Sequence, residues 1–377
     1  MSETFILLSK DSQSSARCGV LQTNHGVIET PVFMPVGTQA SVKTLSSEDL
    51  NQLDTQIILG NTYHLDDRPG ADLISRQGGL HDFMSWNKPI LTDSGGYQVF
   101  SLGKLNKISN QGVEFKSHID GRKRFIGPKE SMEIQRLLGS DIAMVFDECP
   151  PYPCKKDYAI SAVRRTITWA KICRDITMSR NQLIFGIVQG GIYNDLREEC
   201  SKNIINLDFD GYAIGGVSVG ESENLILQAI NDSIKFLPTN KPRYLMGVGE
   251  MSQIIESVSK GIDMFDCVMP TRQARNGTVS TRKGRYPVKA AIYKEDKRAL
   301  EEGCECYVCK KYTRSYIRHL LNVGEILGLR LITYHNIYCY LNFMVDIRKS
   351  IKEGTFKKFK EIFNQEYNLI LKEHTQI

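Results

Sequence analysis

The chain has 377 residues, 41% apolar and 24% charged, enough for a large buried core at the size of one barrel-type domain with insertions. Its formal net charge of +5 is ordinary and by itself points to no class of partner. No run approaches the roughly 18 apolar residues of a membrane span. The opening Met1-Ser2-Glu3-Thr4 lacks the basic and apolar regions of a signal peptide, so a soluble cytoplasmic protein with no membrane partner is expected.

In chain order, residues 5–8 and 20–23, with Asn24-His25-Gly26 as a turn, read as a small antiparallel decoration. From residue 31 the pattern changes. Apolar runs at 31–36, 56–59, 89–91, 142–146, 183–188, 212–214, 243–246 and 264–267 read as strands. Helical periodicity lies between them, as at 46–54, 128–138, 158–180, 193–206, 223–237 and 252–260. Alternation repeated about eight times reads as parallel βα units, and a doubly wound open sheet fits it nearly as well. An α/β fold of the (β/α)8 barrel type is preferred: no Gly-x-Gly-x-x-Gly turn stands near the start, and the strand ends carry much polar chemistry. Beyond Val288 the alternation stops. A cysteine cluster follows, then two helices, 331–352, ended by Gly354, and 356–371. The expected organisation is a decoration over 1–30, a barrel over 31–286 and a zinc-binding helical subdomain over 287–377.

Catalytic groups of such barrels sit at the C-terminal ends of several strands. Here those ends read Gly60-Asn61-Thr62, Thr92-Asp93-Ser94-Gly95-Gly96-Tyr97-Gln98, Phe146-Asp147-Glu148-Cys149, Val188-Gln189-Gly190-Gly191, Ile214-Gly215-Gly216-Val217, Met246-Gly247-Val248-Gly249 and Phe265-Asp266-Cys267. A single Asp after a strand is usually a helix cap. Three such ends carrying acids, with a Gln between them and paired glycines throughout, should converge on one mouth.

Of ten cysteines, seven are scattered and three crowd together as Cys304-x-Cys306-x-x-Cys309. Cys-x-Cys is too tight for an ordinary disulfide, while three thiolates on one loop make three-quarters of a tetrahedral zinc site. Spacing offers His319, His335 or Cys339 as the fourth ligand. His335 is favoured because it would clamp the long helix to the loop. A closed four-ligand Zn2+ site is structural. The stretch from Thr271 to Lys289 holds six Arg or Lys and no acid, and Lys310, Lys311, Arg314 and Arg318 form a second basic set. On charge alone these are solvated loops, though they also match the phosphate-neutralising footprint of a nucleic-acid binder.

Taken together, Asp93–Gln98, Phe146–Cys149, Gly186–Gly191, Tyr244–Gly249, Asp263–Arg272 and the cysteine cluster with His335 resemble the tRNA-guanine transglycosylase family over nearly the whole chain. The resemblance implies exchange of the wobble guanine in a tRNA anticodon loop for a 7-deazaguanine base. It implies Asp266 as the nucleophile at C1′ and Asp93 as the general acid and base. Asp147, Gln189 and the backbone at Gly216 and Val217 would read the base, and Tyr97 and Met246 would sandwich it. Arg272 and Arg275 would contact the anticodon loop. The chemistry agrees: retention at C1′ requires two displacements and a carboxylate nucleophile, with an acid for the leaving base and a base for the incoming amine.

Val217 stands where bacterial members usually have Leu, and Ser218 where Ala is common. Cys149 and Val219 match the form that accepts the small aminomethyl base preQ1, so preQ1 is expected over queuine. Only 42 residues follow His335, too few for the extra RNA-binding domains of the archaeal form. Tyr312, Tyr316 and His319 follow the cysteines at i, i+4 and i+7. Periodicity alone puts this stripe in the chain's own core, whereas the resemblance implies a homodimer through this region. A catalytically silent tRNA-binding subunit is disfavoured by the presence of Asp93 and Asp266. A barrel hydrolase or lyase acting on a small molecule is disfavoured by the basic stretch and the zinc clip.

Overall fold

The computed structural model describes residues 4–102, 107–176, 178–179 and 181–367. Three antiparallel strands open the chain: β1 (Phe5–Lys10), β2 (Arg17–Thr23) and β3 (Gly26–Thr30). Both strands expected there are present, and the sheet gains β3 because the chain turns back at Asn24-His25.

Eight parallel strands then close a barrel. They are β4 (Val32–Gly37), β5 (Ile58–Gly60), β6 (Ile90–Thr92), and, after an insertion, five more. The insertion is an antiparallel sheet of β7 (Lys107–Ile108), β8 (Val113–Lys116) and β9 (Lys123–Ile126), which the sequence reading did not anticipate. The barrel resumes with β10 (Ile142–Met144), β11 (Leu183–Val188), β12 (Gly211–Ile214), β13 (Arg243–Leu245) and β14 (Met264–Cys267), which pairs with β4 to close the ring. Every residue of β11 is buried, as a strand covered on both faces requires, which is why its sequence is a continuous apolar run. Phe33, Phe146, Phe185, Tyr244 and Phe265 are among the largest fully buried side chains of this core. Each contributes about 2–3 kcal/mol on burial.

Beyond β14 come a short helix (Met269–Arg275) and a hairpin of β15 (Thr278–Thr281) and β16 (Gly284–Pro287). The cysteine loop then leads into four helices, Tyr307–Lys311, Arg314–Asn322, Ile326–Lys352 and Phe356–Glu366, not two. The long helix begins five residues earlier than the periodicity suggested, so His335 lies well inside it rather than at its start. It packs against β4 and the helix Met269–Arg275, completing the outer wall of the barrel. Tyr340 donates to the Gly249 carbonyl at 2.7 Å and Arg348 to that of Pro31 at 2.8 Å. The expected helix over 158–180 ends at Arg174, and the expected end near Leu371 lies outside the described residues. No helix among the described residues is long and apolar enough to cross a membrane.

Candidate active site and cysteine cluster

β6, β10 and β14 each deliver one aspartate to the same end of the barrel. Asp93 follows β6 directly and is buried. Its Oδ1 accepts the backbone N–H of Thr62 at 2.9 Å and of Gly95 at 3.2 Å. Its Oδ2 accepts the side-chain amides of Asn61 at 2.5 Å and Gln98 at 3.0 Å. All four donors are neutral. Burial therefore dominates and pushes this carboxyl up to about 7, the bonds from Thr62 and Gly95 opposing it and the nearby Asp266 adding to it.

Asp147 accepts from Ser94 Oγ at 2.9 Å and from the Gln189 amide at 2.6 Å. Burial pushes it up to about 6. Gly96 stands against it: a side chain there would meet the Asp147 carbonyl at 2.6 Å. Asp266 is held at one oxygen only, Oδ1, by the Tyr244 hydroxyl at 2.5 Å and the Gly247 N–H at 2.8 Å. Burial raises its carboxyl above the ordinary range. Both of these bonds go to Oδ1 and neither to Oδ2.

Among the described residues, two buried acceptors at the mouth lack any donor, Gln189 Oε1 and Gln98 Oε1. An orphan buried acceptor costs about 1–3 kcal/mol, which a ligand N–H would recover. Gln189 Oε1 lies against Gly216, whose φ of +62° is a left-handed conformation; any side chain there would collide with that oxygen. Val217 beside it is buried. The carbonyls around this turn are gathered by Arg197, which is fully buried on the helix Asn194–Ile205. Its guanidinium donates to Val188 at 3.1 Å, Gly191 at 2.8 Å, Gly215 at 2.7 Å and Gly216 at 3.1 Å. Burial lowers its pKa to about 10, which still leaves the charge in place at neutral pH.

Tyr97 stands at the rim, on the helix Gly96–Leu102 and half exposed, and Met246 lies one residue beyond β13, partly buried. Arg272 and Arg275 project from the helix Met269–Arg275 into solvent. The rest of the basic stretch is less free than its composition suggests: Arg282 pairs with Asp346, Arg285 with Glu250, Lys310 with Glu305 and Arg314 with Asp296. Asn61, Ser94, Gln98 and Tyr244 stood within the motifs but carried no assigned role. Arg197 gave no sequence signal, since an arginine in an amphipathic helix reads as surface.

Behind the mouth, Cys304, Cys306, Cys309 and His335 converge with all four donor atoms within 4.8 Å of one another. The sulfurs lie 3.7, 3.6 and 3.3 Å from His335 Nδ1. Tetrahedral bonds of about 2.3 Å to sulfur and about 2.0 Å to nitrogen put such atoms roughly 3.6 Å apart, so the cluster fits one ion. His335 Nε2 donates to the Ser280 carbonyl at 2.9 Å, which fixes the tautomer and aims the Nδ1 lone pair at the sulfurs. Neither His319 nor Cys339 belongs to the cluster.

A parallel barrel whose mouth gathers three carboxylates, two of them buried, among neutral donors is the framework of a barrel enzyme. The particular family follows from comparison: the model described as queuine tRNA-ribosyltransferase matches residues 11–369, and the chain belongs to that family. Proteins named queuine tRNA-ribosyltransferase are similar to it along their whole length. That of Pelotomaculum thermopropionicum is 53% identical over 367 residues, covering 97% of this chain and 99% of its own. That of Natranaerobius thermophilus is 54% identical over 368 residues, covering 97% and 100%. That of Fusobacterium nucleatum is 55% identical over 361 residues, covering 95% and 97%.

Proposed function

We propose that this chain is a tRNA-guanine transglycosylase that replaces a guanine of the tRNA anticodon loop with a 7-deazaguanine base, preQ1 in preference to queuine. The observation that carries the reading is the convergence of Asp93 and Asp147, both buried, and the half-buried Asp266, none paired with a cation, at one barrel mouth. Asp266 Oδ2 attacks C1′ as the bond from C1′ to the guanine N9 breaks, and Tyr244 and Gly247 hold Oδ1 so that attack comes from one oxygen. Asp93, with its pKa near neutrality, gives a proton to the departing guanine. It then takes one from the incoming base, whose nitrogen displaces Asp266 and restores the original configuration.

Asp147 and the orphan Gln189 oxygen read the base edge, with the backbone at Gly216 and Val217. Tyr97 and Met246 form its walls, suiting a flipped-out purine. The exposed Arg272 and Arg275 contact the anticodon-loop phosphates. Cys304, Cys306, Cys309 and His335 hold one structural Zn2+, which ties the cysteine loop to the long helix and supplies no open position for chemistry. Ten free cysteines and a tRNA substrate fit a reducing cytoplasm.

A homodimer is supported by the surface beside the zinc clip. Tyr316 is exposed and stacks on Tyr312 at 5.6 Å, and Ile326 and Val323 are exposed nearby in sequence. The stripe is not core. Nor is it one helical face, because Thr313 caps the helix after Tyr312. One tRNA would span the dimer, the second subunit holding it while the first acts. Labelled-guanine exchange on tRNA tests the activity: incorporation supports the transglycosylase, and hydrolysis without exchange would replace it with a hydrolase. Elemental analysis should find about one zinc per chain.

A further inference from the structure

The end of the barrel opposite the mouth carries a second group of ligand-type side chains that the proposed reaction does not use. His25 stands in the turn between β2 and β3, His81 in the helix Gly79–Met84, and Asp141 immediately ahead of β10. Asp141 is buried, the His81 ring is largely covered, and the His25 ring opens to solvent on one side.

We propose that His25, His81 and Asp141 form a binding site for a divalent transition-metal ion, distinct from the cysteine cluster, that pins the N-terminal sheet to the base of the barrel. Three observations support it. The donor atoms are placed as ligands of one ion would be: His25 Nδ1 lies 2.8 Å from Asp141 Oδ1, His81 Nε2 lies 3.2 Å from Oδ2, and all three lie within 4.8 Å of one another. Donors held about 2.1 Å from a common ion are roughly 3.0–3.4 Å apart at octahedral to tetrahedral angles. Next, His81 Nε2 is buried and makes no hydrogen bond despite its nearness to the carboxylate, an unsatisfied ring nitrogen directed into the cluster. Last, the two imidazoles stack at 3.6 Å with their planes 17° apart. Stacked this way, each ring turns one nitrogen toward the Asp141 carboxylate.

The carboxylate is prepared independently of the rings. Backbone N–H groups of Ile90, at 2.9 Å to Oδ2, and of His25, at 3.1 Å to Oδ1, fix its orientation, as supporting shells do around metal ligands. Two imidazoles with one carboxylate suit zinc, cobalt, nickel or copper rather than magnesium or calcium, and three protein donors leave room for water on the His25 side.

The test uses the full chain already carrying its cysteine-site ion, titrated with Co2+ under equilibrium dialysis and visible absorption. About one further equivalent should bind per chain, with the weak bands of nitrogen- and oxygen-ligated cobalt and without thiolate charge transfer. His25→Gln, at a partly exposed ring, should weaken this binding at least tenfold while leaving the fold intact. His25→Gln/His81→Gln should abolish it. Asp141→Asn is a poorer probe because the carboxylate also caps the Ile90 N–H. No additional equivalent, an equivalent that His25→Gln leaves unchanged, or cobalt seen only as a thiolate complex would each overturn the site and leave the three residues as a hydrogen-bonded brace.

Discussion

Strand β14 has an aspartate at each end, one buried and one half-buried, with opposite surroundings. Asp263, just ahead of the strand at the barrel base, is fully buried beside Arg17, which reaches its Oδ1 at 2.9 Å and its Oδ2 at 2.5 Å. The Arg243 N–H adds a third bond at 2.7 Å, and Arg17 also donates to the Thr239 and Lys241 carbonyls. Asp266, three residues on, receives only a hydroxyl and one amide, both on the same oxygen. Asp93 and Asp147 share its condition, with neutral donors and no cation. At the base a buried charge is cancelled on the spot, which holds the N-terminal sheet to the barrel. Burial raises the carboxyl at both ends, but Arg17 opposes it at Asp263 whereas no cation opposes it at the mouth.

The largest effect separating the two ends is expected on turnover. Asp266→Asn should lower guanine exchange by on the order of 10⁴-fold or more and remove any covalent RNA adduct on denaturing gels, with the unfolding midpoint little changed. An adduct that survives in this variant would move the nucleophile to another acid. The base should respond in the reverse sense. Arg17→Ala leaves Asp263 buried and unpaired and should cost about 3–5 kcal/mol by denaturant unfolding, with exchange per folded molecule nearly unaltered. Lost activity in a fully folded Arg17→Ala chain would erase the division between the ends.

Asp93 sharpens the comparison through pH. Its carboxyl rises from an ordinary 3.8 to about 7 on folding, so the folded chain holds this proton more tightly than the unfolded chain. Its contribution to stability is therefore full below about pH 4 and is lost as pH rises toward 7, on the order of 4 kcal/mol in total. Asp93→Asn should flatten that part of the stability-against-pH curve. Superimposable curves for the two proteins would mean that the mouth does not penalise the charge. The smallest effect concerns which base is used. Val219→Gly, beside the Gly216–Val217 turn, should raise specificity for queuine relative to preQ1 by about tenfold, the scale of a pocket contact. Equal specificity constants in the unaltered protein would reverse the preference for preQ1.

Strand and helix alternation, the acids at strand ends and the three-cysteine loop were all legible in the sequence, because each rests on local spacing: periodicity for the elements, position after an apolar run for the acids, and loop length for the thiolates. The β7–β9 insertion was not, since its strands are two to four residues long and too short to show a period. The fourth ligand could not be chosen among His319, His335 and Cys339 by distance along the chain; the register of the long helix against the β15–β16 hairpin decides it, by giving His335 Nε2 the Ser280 carbonyl. Arg197 and Arg17 carry no local signal of burial, yet both are buried, one around the carbonyls of two strand ends and one on Asp263. The same holds for the aspartates. Sequence placed Asp93, Asp147 and Asp266 at strand ends, but their lack of a countercharge is set by what other segments bring across space, and that is decided only when the barrel closes.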